Sequence, residues 1–244
     1  MASQRQLFQY HKNFMNAYMH LFTRFNAQQE TFLPEQPLIF ACNHPTTTDP
    51  FLLPLLVNDP IHILVVETAF EVPVLGNLIA AAGHHRVSRE RGSGGKLVEQ
   101  ALSSLQNGNH VGIFPEGDLS AEDGTLRHTH SGVARIALMS GAPVIPVGIA
   151  VSPNACLVKE LKDYPDEAPL RWVKRGSYFM TVGKPMTFRG DVTDYEQVQQ
   201  VTQKITSAIQ TQAQKSRMRM QLYPNHWTLV FRMLQRMETL FSWI

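Results

Sequence analysis

Short apolar runs and amphipathic stretches alternate through most of this chain, and that alternation limits its fold more than any other feature. Leu38-Ile39-Phe40-Ala41-Cys42 is a continuous apolar run of the length expected of a buried strand. Residues 61–66, 110–114, 144–151 and 178–182 read the same way, whereas 51–56, 74–82, 96–105, 132–139 and 195–213 read as helices. Asn107-Gly108-Asn109 marks a turn, and Gly141 stops the helix before it. Strands separated by helix-length segments predict an α/β fold, a single domain with a central mixed sheet flanked by helices on both faces. A length of 244 residues suits one sizeable core.

The two ends differ from the middle. Residues 5–28 predict an amphipathic helix, with Leu7, His11, Phe14, Tyr18, Phe22 and Phe25 at helical spacing, before a break at Pro34-Glu35-Gln36-Pro37. Near the other end, Trp227, Val230, Phe231, Leu234, Phe241 and Ile244 share a stripe that fits either an interfacial helix or one packed on the domain's own core. The expected organisation is an N-terminal helical segment (1–34), a central domain (35–188) and a C-terminal helical segment (189–244). A net charge of +2 gives no reason to expect a nucleic-acid partner. The N-terminus lacks the apolar core of a signal peptide, and no apolar run reaches the roughly 18 residues of a spanning helix. Two cysteines, Cys42 and Cys156, cannot form a disulfide framework, which favours a reducing compartment.

Four segments carry side chains suited to chemistry. Asn43-His44-Pro45-Thr46-Thr47-Thr48-Asp49 sets a histidine and an aspartate five positions apart at a strand-to-helix junction. His44 there could accept a proton from a hydroxyl while Asp49 holds the other ring N–H. The plainer alternative is a loop histidine beside an Asp N-cap preceding Pro50. Gly83-His84-His85-Arg86-Val87-Ser88-Arg89 offers guanidinium groups for an anion, or else a solvated basic edge. Phe114-Pro115-Glu116-Gly117-Asp118-Leu119-Ser120 delivers a carboxylate at a strand end, where open α/β sheets place their ligand crevice. Ala142-Pro143-Val144-Ile145-Pro146 brackets an apolar strand with prolines, as on a sheet edge.

Taken in order and at these separations, the four segments resemble the four sequence blocks of the glycerolipid (phospholipid/glycerol) acyltransferase family, which includes lysophosphatidic acid acyltransferases. The resemblance covers about residues 35–188, including Val182-Gly183-Lys184-Pro185. It implies an O-acyltransferase in which His44 and Asp49 are catalytic. Arg86, Arg89, Glu116, Gly117 and Ser120 would bind the acceptor head group, with Asn43, Gly83, Phe114, Pro115 and Pro146 supporting them. It further implies acyl-CoA or acyl-carrier protein as co-substrate with no other cofactor, and a lipid or alcohol acceptor. The enzyme would then sit peripherally on the cytoplasmic face of a membrane.

The departures narrow the acceptor. Where the family's third block continues Gly-Thr-Arg-Ser, this chain has Gly117-Asp118-Leu119-Ser120, and Glu67 stands where a lysine is common. Each lost charge-assisted contact costs about 1.5–3 kcal/mol, so a head group less charged than that of lysophosphatidic acid is expected. Two rivals remain at this level: a lipid-binding protein of the same fold that has lost catalysis, and a metal-dependent hydrolase using His84, His85, His128 or His130 with Glu116 or Glu122. The absence of a His-Glu-x2-His or Cys-x2-Cys pattern argues against the metal site. No Gly-x-Ser-x-Gly elbow supports a serine nucleophile.

Overall fold

The structure is a computed structural model that describes residues 4–71, 75–81, 84–88, 94–121, 125–153, 155–160 and 169–222. Seven strands form one sheet: β1 (Thr23–Gln29), β2 (Ile39–Cys42), β3 (Ile61–Val66), β4 (His85–Val87), β5 (His110–Ile113), β6 (Val144–Val151) and β9 (Gly176–Val182). Their order across the sheet is β1-β9-β6-β2-β5-β3-β4. Every neighbouring pair is parallel except β6 and β9, so the sheet is mixed, as the strand–helix rhythm predicted. A separate antiparallel hairpin joins β7 (Cys156–Lys159) to β8 (Leu170–Val173).

Period-two alternation in β2 sorts side chains to the two faces. Ile39 and Ala41 face α4 (Gly94–Gln106), α5 (Gly132–Ser140) and α6 (Tyr195–Leu222), in a core with Val98, Ala101, Ile136, Val201 and Ile205. Phe40 and Cys42 face α1 (Gln4–Phe22), packing in a core with Met15, Met19, Ile145, Val147 and Tyr178. α2 (Asp49–Leu52) continues directly into a 3-10 turn at Leu53–Leu56, and both cover that same face.

The sequence reading needs several corrections. The N-terminal helix ends at Phe22, not 28, and residues 23–29 add an edge strand to the sheet. Hydrogen bonding to β9 outweighs the weak helical pattern there, since the run Thr23–Gln29 pairs in unbroken register with Gly176–Val182. The arginine-rich stretch contributes β4. The last helix runs to Leu222, and the stripe beginning at Trp227 lies outside the described residues.

The fourth segment is not an edge. β6 lies between β9 and β2. Its Pro146 is tolerated because the ladder to β9 is interrupted there. Val144 bridges Met186, regular pairing resumes at Val147↔Val182, and Gly183 N–H donates to Pro146 O at 2.8 Å across the break. The missing proline N–H therefore falls at a bulge.

α6 lies against β6 closely enough that a Cβ on Gly148 would stand 1.8 Å from Ala213 N. Ser216 Oγ also donates to Gly148 O at 2.8 Å.

Burial holds several histidines neutral on the far side of the sheet. The Ile63 N–H donates to His84 Nδ1 at 3.2 Å, and Ser104 Oγ lies 3.0 Å from His62 Nδ1 and 2.6 Å from His85 Nε2. Burial, reinforced by His11, His62 and His85, pushes the His84 pKa down to about 3. In the unfolded chain the same imidazole takes a proton below about pH 6.5, so unfolding absorbs a proton between those two values. Stability is thus unaffected by this group above about pH 6.5 and falls as pH drops below it, by up to about 2 kcal/mol at pH 5. His84→Asn, whose carbonyl can still accept the Ile63 N–H, should lose less melting temperature than wild type between about pH 7 and pH 5. Equal losses in paired thermal scans would refute this origin of acid sensitivity.

Candidate active site

The site is built where two adjacent parallel strands end. Ile39 pairs with Val111 and Ala41 with Ile113. Continuing that register two and three residues further sets Asn43 and His44 opposite Pro115 and Glu116. The His44 N–H indeed donates to Glu116 Oε1 at 3.1 Å and to Ser120 Oγ at 2.9 Å. Ser120 N–H returns to His44 O at 2.8 Å, and Ser120 Oγ donates to Glu116 Oε1 at 2.5 Å. Asn43 anchors the other side: its amide donates to Ile149 O at 2.9 Å and accepts from Ile149 N–H at 2.7 Å. The Asn43-His44 segment is thereby held both to β6 and to the turn that follows β5.

The imidazole is held as firmly as its backbone. His44 Nδ1 lies 3.0 Å from Asp49 Oδ2, and its ring stacks on Phe114 with centroids 4.1 Å apart. The Asp49 side chain has no exposed surface, whereas that of His44 keeps 17%. Besides the imidazole, Asp49 accepts from Thr46 N–H (2.7 Å), Thr46 Oγ1 (2.5 Å) and Tyr178 Oη (2.7 Å). A buried carboxylate with this many donors is both compensated and fixed in direction. It acts as the acceptor for Nδ1–H, which leaves the Nε2 lone pair for an incoming hydroxyl. The N-cap alternative for Asp49 does not hold: Thr48 occupies that position, without a side-chain cap bond, and Asp49 is the first residue of α2. Burial first, then the Asp49 charge, raise the pKa of Tyr178 well above its ordinary value, so its hydroxyl stays a donor.

The other expected site residues separate into those near His44 and those elsewhere. Glu116, Ser120, Phe114 and Asn43 surround it. Glu116 is 5% exposed, and its second oxygen accepts from Arg127 N–H at 2.8 Å, so its carboxylate is occupied by protein donors. Gly117 is exposed at a φ of +69°, and its N–H is committed to Phe114 O at 3.0 Å. Arg86 sits on edge strand β4, separated from β2 by β5 and β3, its guanidinium over the Phe70 ring at 4.5 Å. Gly83 and Arg89 lie outside the described residues. Leu119 is buried at 7% exposure, and the exposed Glu67 accepts from Ser88 at 3.3 Å. Among the described residues no group of three or more His, Cys, Asp or Glu side chains is arranged to hold a metal ion.

Sequence reasoning missed Thr46, Tyr178 and the β7–β8 hairpin. Tyr178 is 129 positions from Asp49, and only sheet pairing of β9 with β6 brings it near. The run Thr46-Thr47-Thr48 was a readable signal, since three consecutive hydroxyls in a turn supply donors and acceptors to whatever packs on it.

The chain is similar in sequence and in fold to known proteins. A family profile described as Acyltransferase matches residues 24–150, more than half of the chain. A 1-acyl-sn-glycerol-3-phosphate acyltransferase of Cocos nucifera is 29% identical over 111 residues, 45% of this chain and 36% of the relative. A lyso-ornithine lipid O-acyltransferase of Pseudomonas aeruginosa is 31% identical over 117 residues, 48% of this chain and 44% of the relative. A 1-acyl-sn-glycerol-3-phosphate acyltransferase of Bacillus subtilis is 27% identical over 119 residues, 48% of this chain and 58% of the relative. In each case the match spans less than two thirds of the relative's length. The crystal structure of the 1-acyl-sn-glycerophosphate acyltransferase from Thermotoga maritima has the same fold, with a TM-score of 0.61 at 20% identity over 85% of this chain and 80% of the other.

Proposed function

We propose that this chain, which belongs to the acyltransferase family, transfers a fatty acyl group from a thioester to a lipid hydroxyl. The observation that carries this reading is the His44–Asp49 pair at 3.0 Å, its carboxylate buried and its imidazole partly open to solvent. Nε2 takes the proton of the acceptor hydroxyl as that oxygen attacks the thioester carbonyl. The C–S bond then breaks, and the departing thiolate takes the proton from the imidazolium. A thioester is already activated, so no covalent acyl-enzyme is required. The N–H groups of His44 and Gly117 are committed to Glu116, Ser120 and Phe114, so the oxyanion contacts come from other donors.

The donor is acyl-CoA or acyl-carrier protein, as the family resemblance implies. The acceptor is a glycerolipid-type or related lipid whose head group is less charged than a phosphomonoester. Leu119 and Glu67 stand where the motifs of the family it resembles carry an arginine and commonly a lysine, and Leu119 is packed inside. A lipid of the kind named for the Pseudomonas aeruginosa relative fits that chemistry. Peripheral attachment to the cytoplasmic face of a membrane suits the exposed apolar side chains of α1, Tyr10, Phe14, Leu21 and Phe22. No helix among the described residues is long and apolar enough to cross a bilayer.

An acceptor screen with radiolabelled acyl thioester tests the reading. Turnover should be greater with lysolipids whose head group is less charged than a phosphomonoester than with lysophosphatidic acid. A strong preference for lysophosphatidic acid would reject the acceptor assignment, and no thioester consumption with any acceptor would favour a lipid-binding protein that has lost catalysis.

A further inference from the structure

We propose that Arg171 binds a singly charged oxyanion, a carboxylate or phosphodiester, on the head group of the acceptor; this rests on the acyl-transfer reading above. Arg171 lies on β8, beyond the residues matched by the family profile. Its main chain is joined to the catalytic turn: Arg171 N–H donates to Thr47 Oγ1 at 3.0 Å, and Thr47 N–H donates to Arg171 O at 3.0 Å. Two residues on, Val173 N–H donates to Thr48 Oγ1 at 2.9 Å. From this anchored position Nη1 of Arg171 donates to Ser120 O at 3.1 Å and to Pro45 O at 3.4 Å. Pro45 follows His44 in the chain, and Ser120 holds the His44 main chain from the other turn. One guanidinium therefore touches both turns that hold the imidazole.

Among the described residues the charge has no counterpart. Arg171 is half-buried, no described carboxylate pairs with it, and no described group accepts from Nε or Nη2. Half-burying a cation beside apolar and carbonyl groups costs free energy unless an anion or water compensates it. The open Nε–Nη2 edge is the fork that meets two oxygens of a carboxylate or phosphate side by side. Arg86 is at the far sheet edge and adds no second charge beside Arg171. That favours a monoanionic head group over both a neutral one and a dianionic phosphomonoester. A phosphate of the acyl donor has the same oxyanion chemistry, and the experiment must separate the two sources.

The test uses the full chain with labelled acyl thioester and acceptors of one chain length bearing a carboxylate, a phosphomonoester or a neutral head. Arg171→Gln should raise KM for the carboxylate acceptor about tenfold or more, with kcat within about threefold. The rise should be several-fold larger for the carboxylate acceptor than for the neutral acceptor or the thioester. Arg171→Lys, which keeps the charge without the fork, should recover part of the loss. Equal losses with all acceptors would reduce Arg171 to a structural clamp, and a rise confined to the thioester KM would assign the anion to the donor. Either result overturns the proposal. If wild type turns over none of the acceptors, the acyl-transfer reading itself fails. Equilibrium binding of the carboxylate lysolipid then decides: about tenfold weaker binding by Arg171→Gln supports the contact, and equal affinity ends it.

Discussion

Replacing His44 with alanine should slow acyl transfer by about 10³–10⁴-fold while leaving the melting temperature close to that of wild type. On the proposed reading the imidazole takes the acceptor's proton, and it is also expendable to the fold. Its ring touches Phe114 and Asp49 and is partly exposed, whereas the bonds that hold the turn go through the His44 main chain. Single-turnover rates with purified protein and labelled thioester would measure the loss. A variant keeping more than about a tenth of the wild-type rate would exclude His44 as the general base. Asp49→Ala should abolish transfer similarly, but not silently. Thr46 N–H, Thr46 Oγ1 and Tyr178 Oη all converge on that carboxylate in the interior. Removing it strands buried donors, at about 1–3 kcal/mol each for those that find no other acceptor. The contrast between the two variants, one inactive and stable, the other inactive and destabilised, separates proton transfer from the architecture that orients it.

Gly148→Ala should be among the most damaging single-methyl changes at the described residues. The added Cβ would stand 1.8 Å from Ala213 N and 1.9 Å from Gln212 C, both main-chain atoms of α6, which cannot rotate aside as a side chain would. Restoring ordinary contact requires α6 to move off the sheet. That movement opens the core shared by Val198, Val201, Ile205 and Ile209 and breaks the Ser216–Gly148 bond. A cost of about 3 kcal/mol or more is expected, corresponding to a fall of roughly 6–12 °C in Tm for a domain of this size. Activity should fall with it, because Ile149, the next residue, holds Asn43 by two hydrogen bonds. A loss below about 1 kcal/mol in denaturant unfolding would show that α6 slides without resistance, and the close approach would then carry no structural weight.

The two variants draw on different levels of information. His44 and Asp49 are legible in the chain because their partnership is local: five positions apart, they meet through one turn at the end of a short apolar strand. The alternation of strands and helices is legible for the same reason, since periodicity along a segment reflects which of its faces is buried. Residues 23–29 were misread because a strand made by pairing with a distant partner leaves little local pattern. Pro146 was misread because its place in the middle of the sheet depends on an interruption in β9, some 40 positions later.

What the sequence determined on its own was the kind of fold and the pairing of His44 with Asp49 proposed to react, both set by short-range spacing and residue chemistry. What only the tertiary structure decided was how that pair is held and what surrounds it. Tyr178 reaches Asp49 from β9, Glu116 and Ser120 face inward to bind the His44 main chain, and Arg171 arrives on a hairpin outside every recognisable motif. Hydrogen bonds and charges act over a few ångströms in space whatever the separation along the chain. The chemical environment of His44 is therefore a property of strand register and loop packing, which no segment of the sequence contains by itself.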